Sequence, residues 1–241
     1  MNNKVLIVSF SFEQEEEDFE VLRSAWLEPV LLAKKDRIGF TEQDLLRFWK
    51  QMEEKPAGIL MGADIPLGRS FAENAEGLKY VSLNCAGYDH LDLEAFRDNG
   101  VTVCNVPRQN FDAVADLTWG LIISVMRRIV EGDRNIRSGR WCDGVSRGIA
   151  VSKKTLGIIG FGAIGQAVAK RAAGFEMEVL YYARHERREA ASVCHAEYVT
   201  RDEILRNADI VVLTCPLTEE THHLINKESI DSMKRSAVLI N

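Results

Sequence analysis

Residues 155–170 read Thr155-Leu-Gly-Ile-Ile-Gly160-Phe-Gly162-Ala-Ile-Gly165-Gln-Ala-Val-Ala-Lys170. A short apolar strand, Thr155–Ile159, runs into Gly160-x-Gly162-x-x-Gly165, and a helix-forming stretch starts at Ala163. Glycine is common, so the spacing alone says little; the strand before it and the helix after it make it specific. Gly160 permits a tight turn, Gly162 lets the backbone approach a pyrophosphate, and Gly165 lets the helix lie against the strand. The free N–H groups of the first turn, Ala163 and Ile164 among them, and the positive end of the helix dipole then face the phosphates. Ile164, Val168 and Ala172 supply the buried face of this helix. Residues 155–184 therefore read as a Rossmann strand–turn–helix–strand unit that binds a dinucleotide.

The residue that closes the second strand bears on which dinucleotide. A site for NAD places an acid there, about 20 residues past the turn, to bind the ribose hydroxyls. Here the strand Met177–Tyr182 is followed by Ala183 and Arg184, then His185, Arg187 and Arg188. An acid would repel a 2′-phosphate, whereas a guanidinium pairs with it in a charge-assisted and bidentate way. The cofactor reading is NAD(P), leaning to NADP(H) through Arg184. Arg187 and Arg188 read as a solvated basic loop.

Outward from this unit, short apolar strands alternate with amphipathic helices. Strands are expected at Val5–Phe10, Ala57–Met61, Lys79–Leu83 and Val101–Cys104, with helices at Thr41–Glu53 (Thr41 as N-cap) and Asp92–Asp98. After the glycine turn, further strands fall at Ala196–Val199, Ile210–Thr214 and Ala237–Ile240. The rhythm gives an α/β fold of two Rossmann-like or flavodoxin-like parallel-sheet domains, 1–104 and 105–241. Early in the second, a long helix over Ala113–Glu131 would bury Val114, Leu117, Leu121, Ile122, Val125 and Ile129. Gly132–Ser152 reads as a connecting arm.

Composition narrows the class. With 46% hydrophobic and 27% charged residues, the chain is ordinary for a globular protein, not a disordered one. A net charge of −6 gives no electrostatic reason to expect nucleic acid or an anionic membrane. No apolar run reaches a membrane span, and the N-terminal apolar run leads straight into acid, as a first strand would. The cysteines (Cys85, Cys104, Cys142, Cys194, Cys215) are scattered without metal spacing, which reads as reduced thiols in a cytoplasmic protein with no metal site.

Several colinear stretches resemble the D-isomer-specific 2-hydroxyacid dehydrogenases. They are Asn84-Cys-Ala-Gly-Tyr-Asp-His-Leu-Asp92, the hinge and helix over 105–119, the turn Gly160–Gly165, the strand and Pro-Leu-Thr loop over 208–226, and Met233–Asn241. Ala183-Arg184 is more similar to the NADPH-using glyoxylate/hydroxypyruvate reductases than to members with an Asp there. The resemblance implies a two-domain oxidoreductase that interconverts a small 2-keto acid and a D-2-hydroxy acid, with its site in the interdomain cleft. It places the carboxylate of the substrate on backbone N–H groups at Gly62 and Ala63, with Gly87 nearby. It places the nicotinamide ribose along Cys215-Pro216, and Thr118 near the cofactor. It also implies a homodimer through the dinucleotide domain, with Arg134, Arg137, Arg140 and Trp141 on the arm. Each has a plainer rival: a simple βα turn at Gly62, a buried helical Thr bonding its own backbone at Thr118, a solvated basic face on the arm.

The sequence departs from the family at its end. The family's catalytic Arg follows the Asn matched by Asn241, and its Glu and His come later, so no catalytic residue is assigned. The expectation is a fragment of a longer product, inactive as given. The alternative is a short, non-catalytic dinucleotide-binding regulator of the same fold. His90, His185, His195, His222 and His223 are read as structural or surface residues.

Overall fold

The computed structural model describes residues 3–8, 16–32, 40–107, 109–141 and 143–241. Ser9 and Phe10, expected in the first strand, and Cys142 lie outside them. The chain divides into two compact units, Met1–Gln109 and Asn110–Asn241.

In the first unit, β1 (Lys4–Val8), α1 (Glu16–Ser24), β2 (Glu28–Leu31), α2 (Glu42–Gln51), β3 (Gly58–Met61), α3 (Arg69–Asn74), β4 (Tyr80–Leu83), α4 (Leu93–Asp98) and β5 (Thr102–Cys104) follow one another. The strands form one parallel sheet in the order β2-β1-β3-β4-β5, the flavodoxin-like order. Thr41 caps α2 as expected: its hydroxyl accepts from the Asp44 N–H, and the Asp44 carboxylate accepts from the Thr41 N–H. The core gathers on Trp49, Phe71 and Phe96, all fully buried. The edge strand β2 is absent from the sequence reading; Pro29 disguises it, and an edge is where a sheet tolerates proline.

In the second unit, α5 (Phe111–Met126) and α6 (Ile129–Arg137) precede β6 (Thr155–Ile159), α7 (Ala163–Ala172), β7 (Glu178–Tyr182), α8 (Arg188–Cys194), β8 (Ala196–Tyr198), α9 (Arg201–Asn207), β9 (Ile210–Leu213), α10 (Lys227–Ser232) and β10 (Val238–Ile240). The sheet is parallel, ordered β10-β9-β6-β7-β8, with β6 central as in a Rossmann sheet. Alternating residues feed two cores: Leu156, Ile158, Ile210 and Val212 on one face, Ile159 and Val211 on the other against Ile204 and Leu205 of α9 and the Ala208 that follows it.

The long helix over Ala113–Glu131 is corrected. It ends at Met126; Arg128 adopts φ +53°, and a separate helix, α6, begins at Ile129 inside what reads as one run. The buried face is also rotated. Ala115, Thr118, Trp119, Ile122 and Met126 face inward, while Leu117, Leu121, Val125 and Ile129 are exposed. The reason is that α5 is apolar on two sides. The indole of Trp119, donating to the Val168 carbonyl at 3.1 Å and stacked on Phe175, selects which side packs.

At the N-terminal ends of the strands, Asp209 ties three of them together. Its carboxylate accepts from the Thr155 N–H (3.0 Å) and from Lys234 Nζ (2.9 Å), beside backbone bonds Asp209 N–H to Thr155 O and Val238 N–H to Asp209 O. Partial burial acts to raise this carboxyl, but the Thr155 amide and the Lys234 ammonium outweigh it and hold it below its ordinary range. A depressed folded value means stability that is present above the unfolded pKa of about 3.9 and lost as pH falls through the folded value. Asp209→Asn is expected to cost about 1–3 kcal/mol at neutral pH and to flatten the acid limb of the stability curve, as read by urea melts from neutral pH down to acid.

Candidate functional site

A cavity of about 330 Å³ opens at the C-terminal ends of β6, β7 and β9, where ligands sit in open parallel sheets. Its floor is the glycine turn. Gly160 has φ +102°, and a Cβ there would lie 2.5 Å from the Cys215 nitrogen. A Cβ on Gly165 would overlap the Gly160 carbonyl oxygen and approach Thr214 Oγ1 to 2.9 Å. Thr214 Oγ1 donates to that same carbonyl at 2.6 Å, tying the turn to the end of β9. Gly162 differs: it is exposed, its φ is negative, and a Cβ there would meet nothing within 4 Å. No side chain caps α7 at Gly162, so the amides of the first turn, including Ala163 and Ile164, have no side-chain partner there. An open glycine below an uncapped ten-residue helix fits a pyrophosphate.

One wall is the segment Tyr182-Ala183-Arg184-His185 with Arg187. It is held from below by Tyr181, which is fully buried and stacked on Phe161 of the turn at 4.0 Å. The Tyr181 hydroxyl accepts from the Arg187 N–H at 3.0 Å, and Tyr198 Oη donates to the Ala183 carbonyl at 3.2 Å. The other wall comes from the loop after β9: Cys215, Pro216, Thr218, Glu220, Thr221 and Leu224. Thr221 Oγ1 donates to the Pro216 carbonyl (2.6 Å) and accepts from the Thr218 N–H (2.7 Å), which closes this loop on itself. Burial pushes the Cys215 thiol up, so it is protonated at neutral pH and is no nucleophile.

The structure thus brings Gly160, Gly162, Arg184, Cys215 and Pro216 to one cavity, with Ala163, Ile164 and Gly165 in the adjoining helix turn. Thr118 is elsewhere: it is buried in α5, and its hydroxyl donates to the Val114 carbonyl at 2.8 Å. Arg187 and Arg188, equivalent in sequence, separate. Arg187 lines the cavity, and Arg188 pairs with Glu186 at 2.8 Å. His185 and Arg201 also line it and were not read as cavity residues; Arg201 arrives from α9, a convergence that no local pattern announces.

In the first unit, Gly62 and Ala63 follow β3, and Gly87 follows the neighbouring β4, so the three share one sheet edge. Gly62 is buried, and a Cβ there would stand 2.7 Å from Asp64 Oδ2. The Cys85 thiol donates to the Gly87 carbonyl; burial first, then the charges of Asp64 and Asp89, push its pKa up. His90 Nε2 is buried without a partner among the described residues, and His222 stacks on His223 at the surface. Among the described residues no cluster of three His, Cys, Asp or Glu side chains could hold a metal, and no helix is long and apolar enough to cross a membrane. The four described cysteines are free thiols.

Residues 119–241 match the family model of the D-isomer-specific 2-hydroxyacid dehydrogenase NAD-binding domain. The chain belongs to this family. It is 42% identical over 202 residues to a glyoxylate reductase of Pyrococcus horikoshii, an alignment covering 80% of this chain and 59% of that one. Among solved structures, the TT0316 protein of Thermus thermophilus superposes with a TM-score of 0.83 at 34% identity, over 98% of this chain and 72% of that one. A glyoxylate reductase of Paecilomyes thermophila superposes at 0.85 with 26% identity, over 100% and 73%. The chain spans 52–65% of the length of the first three curated relatives, all glyoxylate reductases.

Two glycines of this turn differ in what surrounds them. Gly165→Ala is expected to destabilise the second unit by about 1–3 kcal/mol, because backbone must move. Gly162→Ala is expected to cost less than about 1 kcal/mol in the melt yet weaken dinucleotide binding about tenfold or more by filling the space over the turn. Thermal melts and fluorescence titration with NADPH read the two effects.

Proposed function

We propose that the chain carries the cofactor and substrate-binding surfaces of an oxidoreductase that interconverts a small 2-keto acid and a D-2-hydroxy acid, with NADP(H) as the preferred cofactor. The observation that carries this reading is the single cavity with an open glycine turn on its floor and the guanidinium groups of Arg184 and Arg187 on its wall, where an NAD site would hold an acid. The names of the glyoxylate reductase relatives support the substrate class.

On this reading the amides of Gly162, Ala163 and Ile164 hold the pyrophosphate, and Arg184 takes the 2′-phosphate. The backbone at Cys215 and Pro216 lies along the nicotinamide ribose. The bound nicotinamide supplies the hydride. Backbone N–H groups at Gly62 and Ala63, with Gly87 beside them, orient the substrate carboxylate. The domain assignment, substrate binding before residue 105 and dinucleotide binding after it, follows these roles. No proton donor or carboxylate-clamping guanidinium is assigned within the 241 residues. They are expected to bind NADPH and to leave it unoxidised when glyoxylate is added.

Arg184→Asp is expected to lower the ratio of NADP⁺ to NAD⁺ affinity by about tenfold or more, measured by calorimetric titration with each cofactor. An unchanged ratio would remove the basis for NADP(H). The exposed apolar side of α5 and α6 supports a homodimer: Leu117 is 64% exposed, Val125 52% and Ile129 51%. Leu121→Asp with Val125→Asp is expected to shift the sedimenting species from dimer to monomer; a wild-type chain that is already monomeric would refute the dimer.

A further inference from the structure

Besides Arg184, the cavity wall carries a cation that comes from a different element. Arg201 is the first residue of α9, reached only after β8, and it lines the same cavity as Tyr182–His185 and Arg187. We propose that Arg201 is a specificity-determining residue whose guanidinium closes on the adenosine 2′-phosphate opposite Arg184, so that the phosphate is gripped from two separate elements. The proposal rests on the reading of the cavity as an NADP(H) site and adds the residue that completes its phosphate end.

The first support is what these cations are doing otherwise. Among the described residues, Arg184 and Arg187 make no side-chain hydrogen bond or ion pair, and they lie exposed on the cavity wall. The one ion pair of Arg201 is a 3.5 Å contact with its neighbour Asp202, both side chains about half exposed, a geometry worth little. Some other arginines of this unit are committed: Arg171 to Asp112 and Asp116, Arg137 to Asp133, Arg188 to Glu186. On the cavity, by contrast, Arg184 and Arg187 are uncommitted and Arg201 is held only by its sequence neighbour.

The second support is electrostatic. Three guanidinium groups line the cavity against one carboxylate, Glu220. Like charges brought to one wall repel, and a neutral ribose offers them no compensation. A phosphate does, because its oxygens accept from several planar forks at once.

The third is mechanical. Arg201 starts from a fixed point, since Thr200 caps α9 in a reciprocal box. The Thr200 hydroxyl accepts from the Glu203 N–H, and the Glu203 carboxylate accepts from the Thr200 N–H at 2.8 Å. Glu203, the nearest acid on that helix after Asp202, is thereby occupied by the cap. Arg184 is likewise fixed at its base, between the Tyr198-held Ala183 and the Tyr181-held Arg187.

The test titrates the full chain with NADP⁺ and with NAD⁺, separately, for wild type, Arg201→Ala and Arg201→Lys, with melts to establish that each variant is folded. Arg201→Ala is expected to lower the ratio of NADP⁺ to NAD⁺ affinity about tenfold, and Arg201→Lys to restore part of it as a point charge without the fork. A ratio within about twofold of wild type would overturn the proposal. So would an equal loss for both cofactors, which would mean that Arg201 packs on the adenine they share. A wild-type chain that binds NADP⁺ no better than NAD⁺ would instead defeat the cofactor reading itself, before Arg201 is considered.

Discussion

At the end of β6 the backbone has no room for a side chain. Gly160 turns with a positive φ against the Thr214–Cys215 peptide, and the first turn of α7 lies on the Gly160 carbonyl through Gly165. Two strands and a helix thereby meet with backbone touching backbone, and the hydroxyl of Thr214 fastens the contact at 2.6 Å. Everything at the cavity is set out from this junction. It fixes where α7 begins, hence where its amides point, and it fixes where β9 ends, hence where the wall from Cys215 to Leu224 starts.

A second arrangement carries that order sideways. Phe161, the residue between the first two glycines, stacks on Tyr181, and the Tyr181 hydroxyl holds the Arg187 amide. An aromatic pair in the buried layer therefore links the glycine turn to the basic loop. The ring contributes burial and the hydroxyl a hydrogen bond whose loss would leave a polar atom inside. The polar wall of the cavity is positioned by an apolar contact beneath it.

Much of this was legible in the chain because it is local. The glycine spacing, the strands on either side and the Thr41 cap with Asp44 are patterns a few residues wide, and each marks its own element. The helix after residue 110 misled because α5 is apolar on two sides: periodicity reported a stripe at Leu117, Leu121 and Val125, but packing chose the side with Trp119. The break at Arg128 left no trace, since arginine is an ordinary helix residue and its left-handed backbone is imposed by context. β2 was hidden by Pro29. At the site, Arg184 and its neighbour His185 could be reached by counting from the turn, whereas Arg201 could not. The arrival of Arg201 at the cavity comes from the strand order, which sets β8 and α9 beside β7, and strand order is not written in any short segment.

The tie at Asp209 stands at the opposite ends of the strands from the cavity. It sets the alignment of β6, β9 and β10 from their starting residues, through Thr155, Lys234 and Val238. The two ends thus do different work. One edge holds the framework in register; the other carries a loop whose Arg184 and Arg187 make no side-chain bonds among the described residues. Residues after β7 and at the head of α9 can therefore be exchanged at the cavity without disturbing the alignment that Asp209 sets at the far end of the sheet.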